Sequence, residues 1–344
     1  MLPRVLAKRD FKAFVEALLA DNAVVGPVSK GDKFVFDEIA SADDLRMDYP
    51  ITLLSPRKYF FPQSEAVLRY TMGDAVEIEP LALPTRPGVI LGVHPCDMAG
   101  IWLLDAVFSK DQVDPLYRSR RAHSVAVGLD CKKPCDEYQF CLDMGSLAQR
   151  EGYDLFLTDL GDRYFVEILT GRGKALLDGA TRAAHPAASD DFAARQEVEE
   201  QKARNFHHKL PFDVKYLPEI LDESYDSLIW EAIGRRCFSC GSCNITCPTC
   251  YCFDVQDEIA LDLKSVQRTR RWDSCQLHDF AKVATGENFR ERRSERLRHR
   301  MFRKSKYILE DYGRMGCVGC GRCDRACVAK ISSVETYNQI AGSR

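Results

Sequence analysis

One cysteine ladder occurs twice in the chain, and that repeat limits what the chain can fold around. The first copy reads CFSCGSCNITCP: Cys237, Cys240, Cys243 and Cys247, followed by Pro248. The second reads CVGCGRCDRAC: Cys317, Cys320, Cys323 and Cys327. In both, two residues separate the first three cysteines and three precede the fourth. Two-cluster ferredoxins use this spacing, and there the fourth cysteine of each copy ligates the other copy's cluster. Three thiolates on a tight loop cap one cubane; the chain then turns into a helix and hands its fourth thiolate to the neighbour. Gly241, Gly319 and Gly321 let the backbone wrap closely and aim N–H groups at sulfur.

The spacing therefore assigns Cys237, Cys240, Cys243 and Cys327 to one [4Fe–4S] cluster. It assigns Cys317, Cys320, Cys323 and Cys247 to a second. Structural zinc fits poorly, because it usually takes two cysteine pairs per ion and not two identical four-cysteine runs. The second copy has Val328 where proline usually follows. Proline there shapes the turn and is not a ligand.

The cysteine count is 15, an odd number, and most of them lie two or three residues apart. Neighbours that close are seldom bridged, and a reducing cytosol disfavours disulfides. Thiolates gathered around metal explain the spacing better. The net charge of −3 points to neither nucleic acid nor a membrane surface. No run approaches the roughly 18 apolar residues of a spanning helix. The N-terminus mixes charges through its apolar positions and reads as an amphipathic helix, not a signal peptide. A cytoplasmic location is expected.

Residues 1–215 read as an α/β domain. Val89–Val93 and Ser124–Leu129 are buried-strand patterns around the helical pattern DMAGIWLLDAVF, which predicts a parallel βαβ unit. YDLFLTDL and RYFVEIL flank Gly161-Asp162, a hairpin signal. The polar run from Ser189 to Lys209 predicts a solvated helix or linker. Residues 216–344 predict a mainly helical, ferredoxin-like domain with a long insert, roughly 70 residues, between the two ladders. The insert's arginines, mixed with glutamates in ENFRERRSERLRHR, predict a helix of mixed charge. A surface for an acidic partner, or for compensating anionic clusters, is the other reading.

Cys96 follows the first buried strand and Cys131 the second, so both face the crevice where open α/β sheets bind ligands. Cys135 and Cys141 lie on the loop after the second strand. These four predict a third iron–sulfur site, with zinc or buried structural cysteines as the other readings. Cys250, Cys252 and Cys275 are left over. They either pack beside the second cluster, supply an alternative ligand, or act as small apolar fillers.

The runs GVHPCD (92–97), SCNITCPTCYCFDVQD (242–257), RRWDSCQ (270–276), ENFRERRSERLRHR (287–300) and CVGCGRC (317–323) resemble one family over nearly the whole chain. These are the beta subunits of soluble NiFe sulfhydrogenases and the A subunit of anaerobic sulfite reductase, with the hydrogenase subunits looking closer. The resemblance implies a non-catalytic relay subunit in a hetero-oligomer. It would pass electrons between a subunit binding FAD and NAD(P)H and a catalytic partner, either NiFe hydrogenase subunits or a sirohaem sulfite reductase. Related chains serve flavin oxidoreductases linked to heterodisulfide reductase. In the family the second-strand loop usually ends in Cys-Phe-Cys. Here Gln139 stands where the first of those cysteines is expected, and Cys135 is extra.

The sequence has no GxGxxG fingerprint opening a helix, no P-loop and no nucleophile–base motif. Gly171-Arg172-Gly173 completes no such pattern. Flavin and NAD(P) are therefore expected on a partner, and no catalytic residue is assigned. A self-contained reductase and an iron–sulfur sensor are the rival readings.

Overall fold

The computed structural model describes residues 1–79 and 88–342. Its strands, in chain order, are β1 (Arg4–Ala7), β2 (Ala23–Lys30), β3 (Lys33–Glu38), β4 (Ser64–Met72), β5 (Val76–Glu79) and β6 (Gly88–Val93). Then follow β7 (Ser124–Leu129), β8 (Leu155–Asp159), β9 (Arg163–Ile168), β10 (His185–Pro186), β11 (Phe253–Ile259) and β12 (Ser265–Trp272). Eight of these form one sheet in the order β10-β1-β9-β8-β7-β6-β2-β3. The other four form a second sheet, β11-β12-β4-β5.

The large sheet is parallel at its centre, where β2, β6, β7 and β8 run side by side. Val89, Leu91, Val93, Val127 and Leu155 are buried there because helices cover a parallel sheet on both faces. Helix Pro95–Val107 is the crossover between β6 and β7, with Pro95 preset for its first turn. The expected hairpin joins β8 and β9. The N-terminal amphipathic helix spans Lys8–Asp21 and buries Phe11, Phe14, Val15 and Leu18. Residues 189–205 are helical, and Lys202 on that helix reaches the buried Asp130 at 2.6 Å. Gly171-Arg172-Gly173 opens helix Gly171–Ala180, capped by the Thr170 hydroxyl, which accepts the Gly173 N–H. That run is a helix start packed on β8, where Gly173 has no room for a side chain beside the Asp154 carbonyl.

The expectation of a mainly helical C-terminal region needs correction. The insert between the ladders supplies β11 and β12, and β12 pairs with β4 from the N-terminal half. The reason is a period-two pattern that the charges obscure. Arg268 pairs with Asp257 across the strands, while Arg270 turns inward to Glu65 and Asp114. The arginine-rich segment beyond does form a helix of mixed charge, Arg293–Phe302, which runs on through a wider turn at Arg303–Tyr307. The fold is thus mixed α/β. No helix among the described residues is long and apolar enough to cross a membrane.

Candidate iron–sulfur centres

The two ladders adopt one backbone path. Ser239 and Gly319, at equivalent positions, both take positive φ, 53° and 63°. Their N–H groups donate to the sulfurs of Cys237 at 3.3 Å and Cys317 at 3.4 Å. Gly241 and Gly321, also left-handed, start the short helices Ser242–Ile245 and Arg322–Arg325. Each helix ends one residue before the turn that presents the fourth cysteine, Cys247 or Cys327. Backbone N–H groups aimed at sulfur are what a thiolate-bound anionic cluster requires.

Cys247, Cys317, Cys320 and Cys323 line one small cavity together with Phe140, Arg300, Lys304 and Tyr337. The structure thus brings the last cysteine of the first ladder to the first three of the second. Cys237 and Cys243 lie within electrostatic reach of each other, and Cys240 is the one exposed cysteine of the chain. The short helices of the two ladders pack on one another. The grouping of Cys327 with the first ladder rests on this pairing and on the repeat. Burial pushes the Cys243 thiol up to about 11 and the Cys317 thiol up to about 12. Such thiols ionise only against a compensating positive centre, which thiophilic metal supplies. Among the described residues no three Cys, His, Asp or Glu side chains converge tightly enough to hold a single metal ion.

The N-terminal crevice lies against the second ladder. Cys96 and Cys131 follow the C-terminal ends of the parallel strands β6 and β7. Cys131 is within electrostatic reach of Cys135 and Cys141, and Cys96 of Cys135. Burial raises the thiols of Cys135 and Cys141 to about 12. Gln139 is also turned inward, only 4% exposed, and its Oε1 accepts from the Cys141 thiol at 3.2 Å. The crevice therefore holds Cys135 and Gln139 together. Cys320 reaches Cys96, Cys135 and Cys141 electrostatically, so the crevice and the second ladder's cavity adjoin. Two glycines allow this: a Cβ on Gly319 would meet Phe140 backbone at 2.5 Å, and one on Gly321 would meet Tyr138 backbone at 2.6 Å. The Phe140 N–H donates to the Gly319 carbonyl at 2.7 Å, closing the seam.

Cys250, Cys252 and Cys275 fall beside Cys247. The thiols of Cys247 and Cys250 are within hydrogen-bond reach, as are those of Cys252 and Cys275. Cys252 and the Asn244 amide, 3.0 Å away, both donate to Cys275 and hold its thiol low, at about 6.

The reading of the insert's basic run as compensation for anionic clusters takes in Arg300; sequence reasoning missed Arg57 and the burial of these cations. Arg57, Arg300 and Lys304 are 2%, 6% and 5% exposed, and no carboxylate among the described residues lies within ion-pair distance of any of them. Arg57 donates to the carbonyls of Cys250 and Ile245 and stacks on Trp272, 3.6 Å from the ring centre. Arg300 donates to the Asn244 side chain at 3.0 Å, and Lys304 to the Thr249 hydroxyl at 2.7 Å. Burial presses down on the Lys304 ammonium, but Cys247 and Cys250 outweigh it and hold the ammonium above its ordinary range. A buried charge without a partner costs several kcal/mol, roughly. Here the negative partner is sulfur. No local pattern announces Arg57, which reaches the cysteines across the fold.

Residues 236–331 match the family model described as a 4Fe-4S dicluster domain. The chain is also similar to sulfhydrogenase 2 subunit beta of Pyrococcus furiosus, at 34% identity over 330 residues, covering 96% of each chain.

Proposed function

Because the chain belongs to the family of sulfhydrogenase beta subunits, we propose that it is the iron–sulfur electron-transfer subunit of a hydrogenase complex. One observation carries the reading: Cys247 of the first ladder shares a cavity with Cys317, Cys320 and Cys323 of the second. That is the crossed arrangement of a two-cluster ferredoxin. Cys237, Cys240, Cys243 and Cys327 hold the other [4Fe–4S] cluster of the pair. Cys96, Cys131, Cys135 and Cys141 hold a third, reached past Cys320. Bound clusters supply one-electron transfer. The protein contributes burial, N–H donors to sulfur and the buried cations, which together set how easily negative charge is added.

FAD and NAD(P) sit on a partner subunit, and the catalytic centre on another, within a cytoplasmic hetero-oligomer. Iron and sulfide analysis of anaerobically purified protein tests the clusters. About eight iron atoms belong to the dicluster domain and about four more to the crevice, at four per cubane. Stoichiometric zinc without acid-labile sulfide sinks the reading. The isolated chain should not oxidise NAD(P)H until a flavoprotein subunit is added. Rapid reduction of the lone, flavin-free chain by NADPH would overturn the relay. Co-purification decides whether the catalytic partner carries NiFe or sirohaem.

A further inference from the structure

The surface around Cys240 has a composition that the relay reading leaves unused. Next to this exposed cysteine, Phe238 stands 65% exposed. It forms one wall of an open basin of about 700 Å³ between helix Ile229–Arg236 and the start of helix Arg293–Phe302. Arg235, Arg292 and Arg293 line the basin and are exposed. No carboxylate lies within ion-pair distance of any of the three among the described residues. Exposed arginines elsewhere, Arg182 and Arg204 among them, also lack such a partner; what is particular here is that three line one basin. Glu231 and Glu291 also border the basin. Glu231 is occupied by the Ser294 hydroxyl at 2.7 Å.

The basin is fixed to the first ladder. Arg296, 3% exposed, donates to the carbonyls of Gln276, Arg290 and Glu291, and its Nη2 reaches the Ser239 hydroxyl at 3.2 Å. Ser239 lies between Phe238 and Cys240, so this bond ties the arginine helix to the cysteine loop. Gly234 lets the two helices close, since a Cβ there would meet Ser294 backbone at 2.8 Å. An aromatic and several arginines in a concave setting are the side chains that dominate binding energy at protein interfaces.

We propose that this basin is the docking surface for a redox protein that presents carboxylates around its own cofactor, with Phe238 as the apolar anchor. The proposal rests on the relay reading and names the face through which electrons pass between this chain and a partner. Charge complementarity selects the occupant: unpaired arginines steer an acidic face and fix its orientation. The basin's own glutamates disfavour a polyphosphate backbone, and the chain as a whole carries a net charge of −3. The position beside the one exposed cysteine favours a partner that exchanges electrons there.

A zero-length cross-link tests the charge chemistry directly. Arg235→Lys, Arg292→Lys and Arg293→Lys each keep the charge and supply an amine. Carbodiimide treatment of the native complex, purified through a tag on this chain, should couple at least one of these lysines to an Asp or Glu of a co-purifying flavoprotein or catalytic subunit. Coupling should vanish at high salt. Converting the same three arginines to glutamate should weaken retention of that subunit by about tenfold or more, the cost of like charges facing each other. The same reversal at Arg9, Arg182 and Arg204, exposed elsewhere, should not. Iron content and dithionite reduction of the basin variant should stay unchanged. A complex whose lysines couple to nothing, or only to Glu231 or Glu291, overturns the docking surface alone. The absence of any partner overturns the relay reading beneath it.

Discussion

Asp97 and Arg322 meet as a buried fork, with Nη1 2.6 Å from Oδ1 and Nη2 2.9 Å from Oδ2. Asp97 directly follows Cys96, and Arg322 lies between Cys320 and Cys323. Thr52 completes the guanidinium's bonds through its carbonyl at 2.8 Å and its hydroxyl at 3.0 Å. One ion pair therefore fixes the N-terminal crevice against the second ladder. Asp97→Asn leaves the arginine's charge buried and unpaired, which should cost about 3–5 kcal/mol of stability in denaturant titrations. Asp97→Asn combined with Arg322→Met should recover most of that loss. A double variant no better than the single one would show that the pair is not coupled.

The part of this arrangement legible in the sequence is the part with a local period. The ladders announced themselves by spacing, and the βαβ crevice by two buried strands ending at Cys96 and Cys131. Nothing local linked Asp97 to Arg322, which are 225 residues apart. The strands β11 and β12 were missed for a different reason. Every residue of β11 is exposed, so its apolar Phe253, Val255 and Ile259 alternate with charges without marking a buried face. The leftover thiols Cys250, Cys252 and Cys275 were visible as residues, but their neighbours Arg57 and Lys304 come from opposite ends of the chain.

Crossed ligation separates the two ladders experimentally. Cys247→Ser should perturb the EPR signal that Cys320→Ser perturbs, because both line one cavity. If it instead perturbs the signal affected by Cys240→Ser, each ladder closes on itself.

The cluster proposed for the crevice would take its fourth ligand from Cys135 or from Gln139. Cys135→Ala should remove or convert the N-terminal cluster, read as lost iron, while Gln139→Ala should leave the iron count intact and free the Cys141 thiol of its hydrogen bond. The opposite pattern would give the role to Gln139. No change in either variant would remove the third cluster from the protein.

Lys304 carries its charge into the sulfur-lined interior. Lys304→Met removes a cation near Cys247 and Cys250 and should move the nearest cluster to a more negative potential in an EPR-monitored redox titration, since added negative charge loses its compensation. Lys304→Arg should restore much of the original value. A potential indifferent to both changes would make the lysine a packing residue only.

His299 should make stability depend on pH. Burial, and then Arg290 and Arg303, lower its imidazole from 6.5 to about 4. Between those values the unfolded chain binds the extra proton and the folded chain does not. The contribution is therefore complete above pH 6.5 and is lost as pH falls toward 4. Allowing for partial exposure, the swing is about 2 kcal/mol. His299→Gln should flatten that part of the pH–stability curve, and an unaltered slope would assign it to other groups.

The small sheet has a consequence for how the protein is made. Arg270 on β12 bonds Glu65 on β4 from 205 residues away, and both belong to a sheet that neither half of the chain can complete. During synthesis β4 and β5 can pair with each other early, but the other edge of β4 waits until the insert between the ladders has left the ribosome. Loop closure over that span is paid late and slows folding. The first ladder is already translated by then and the second is not, so the cavity shared by Cys247 with Cys317, Cys320 and Cys323 can close only after β12 has emerged. Expression of residues 216–344 alone leaves β12 paired with β11 but strips it of β4. Completion of the small sheet therefore needs strands from both halves of the chain, and the fragment should recover less iron per polypeptide than the whole chain.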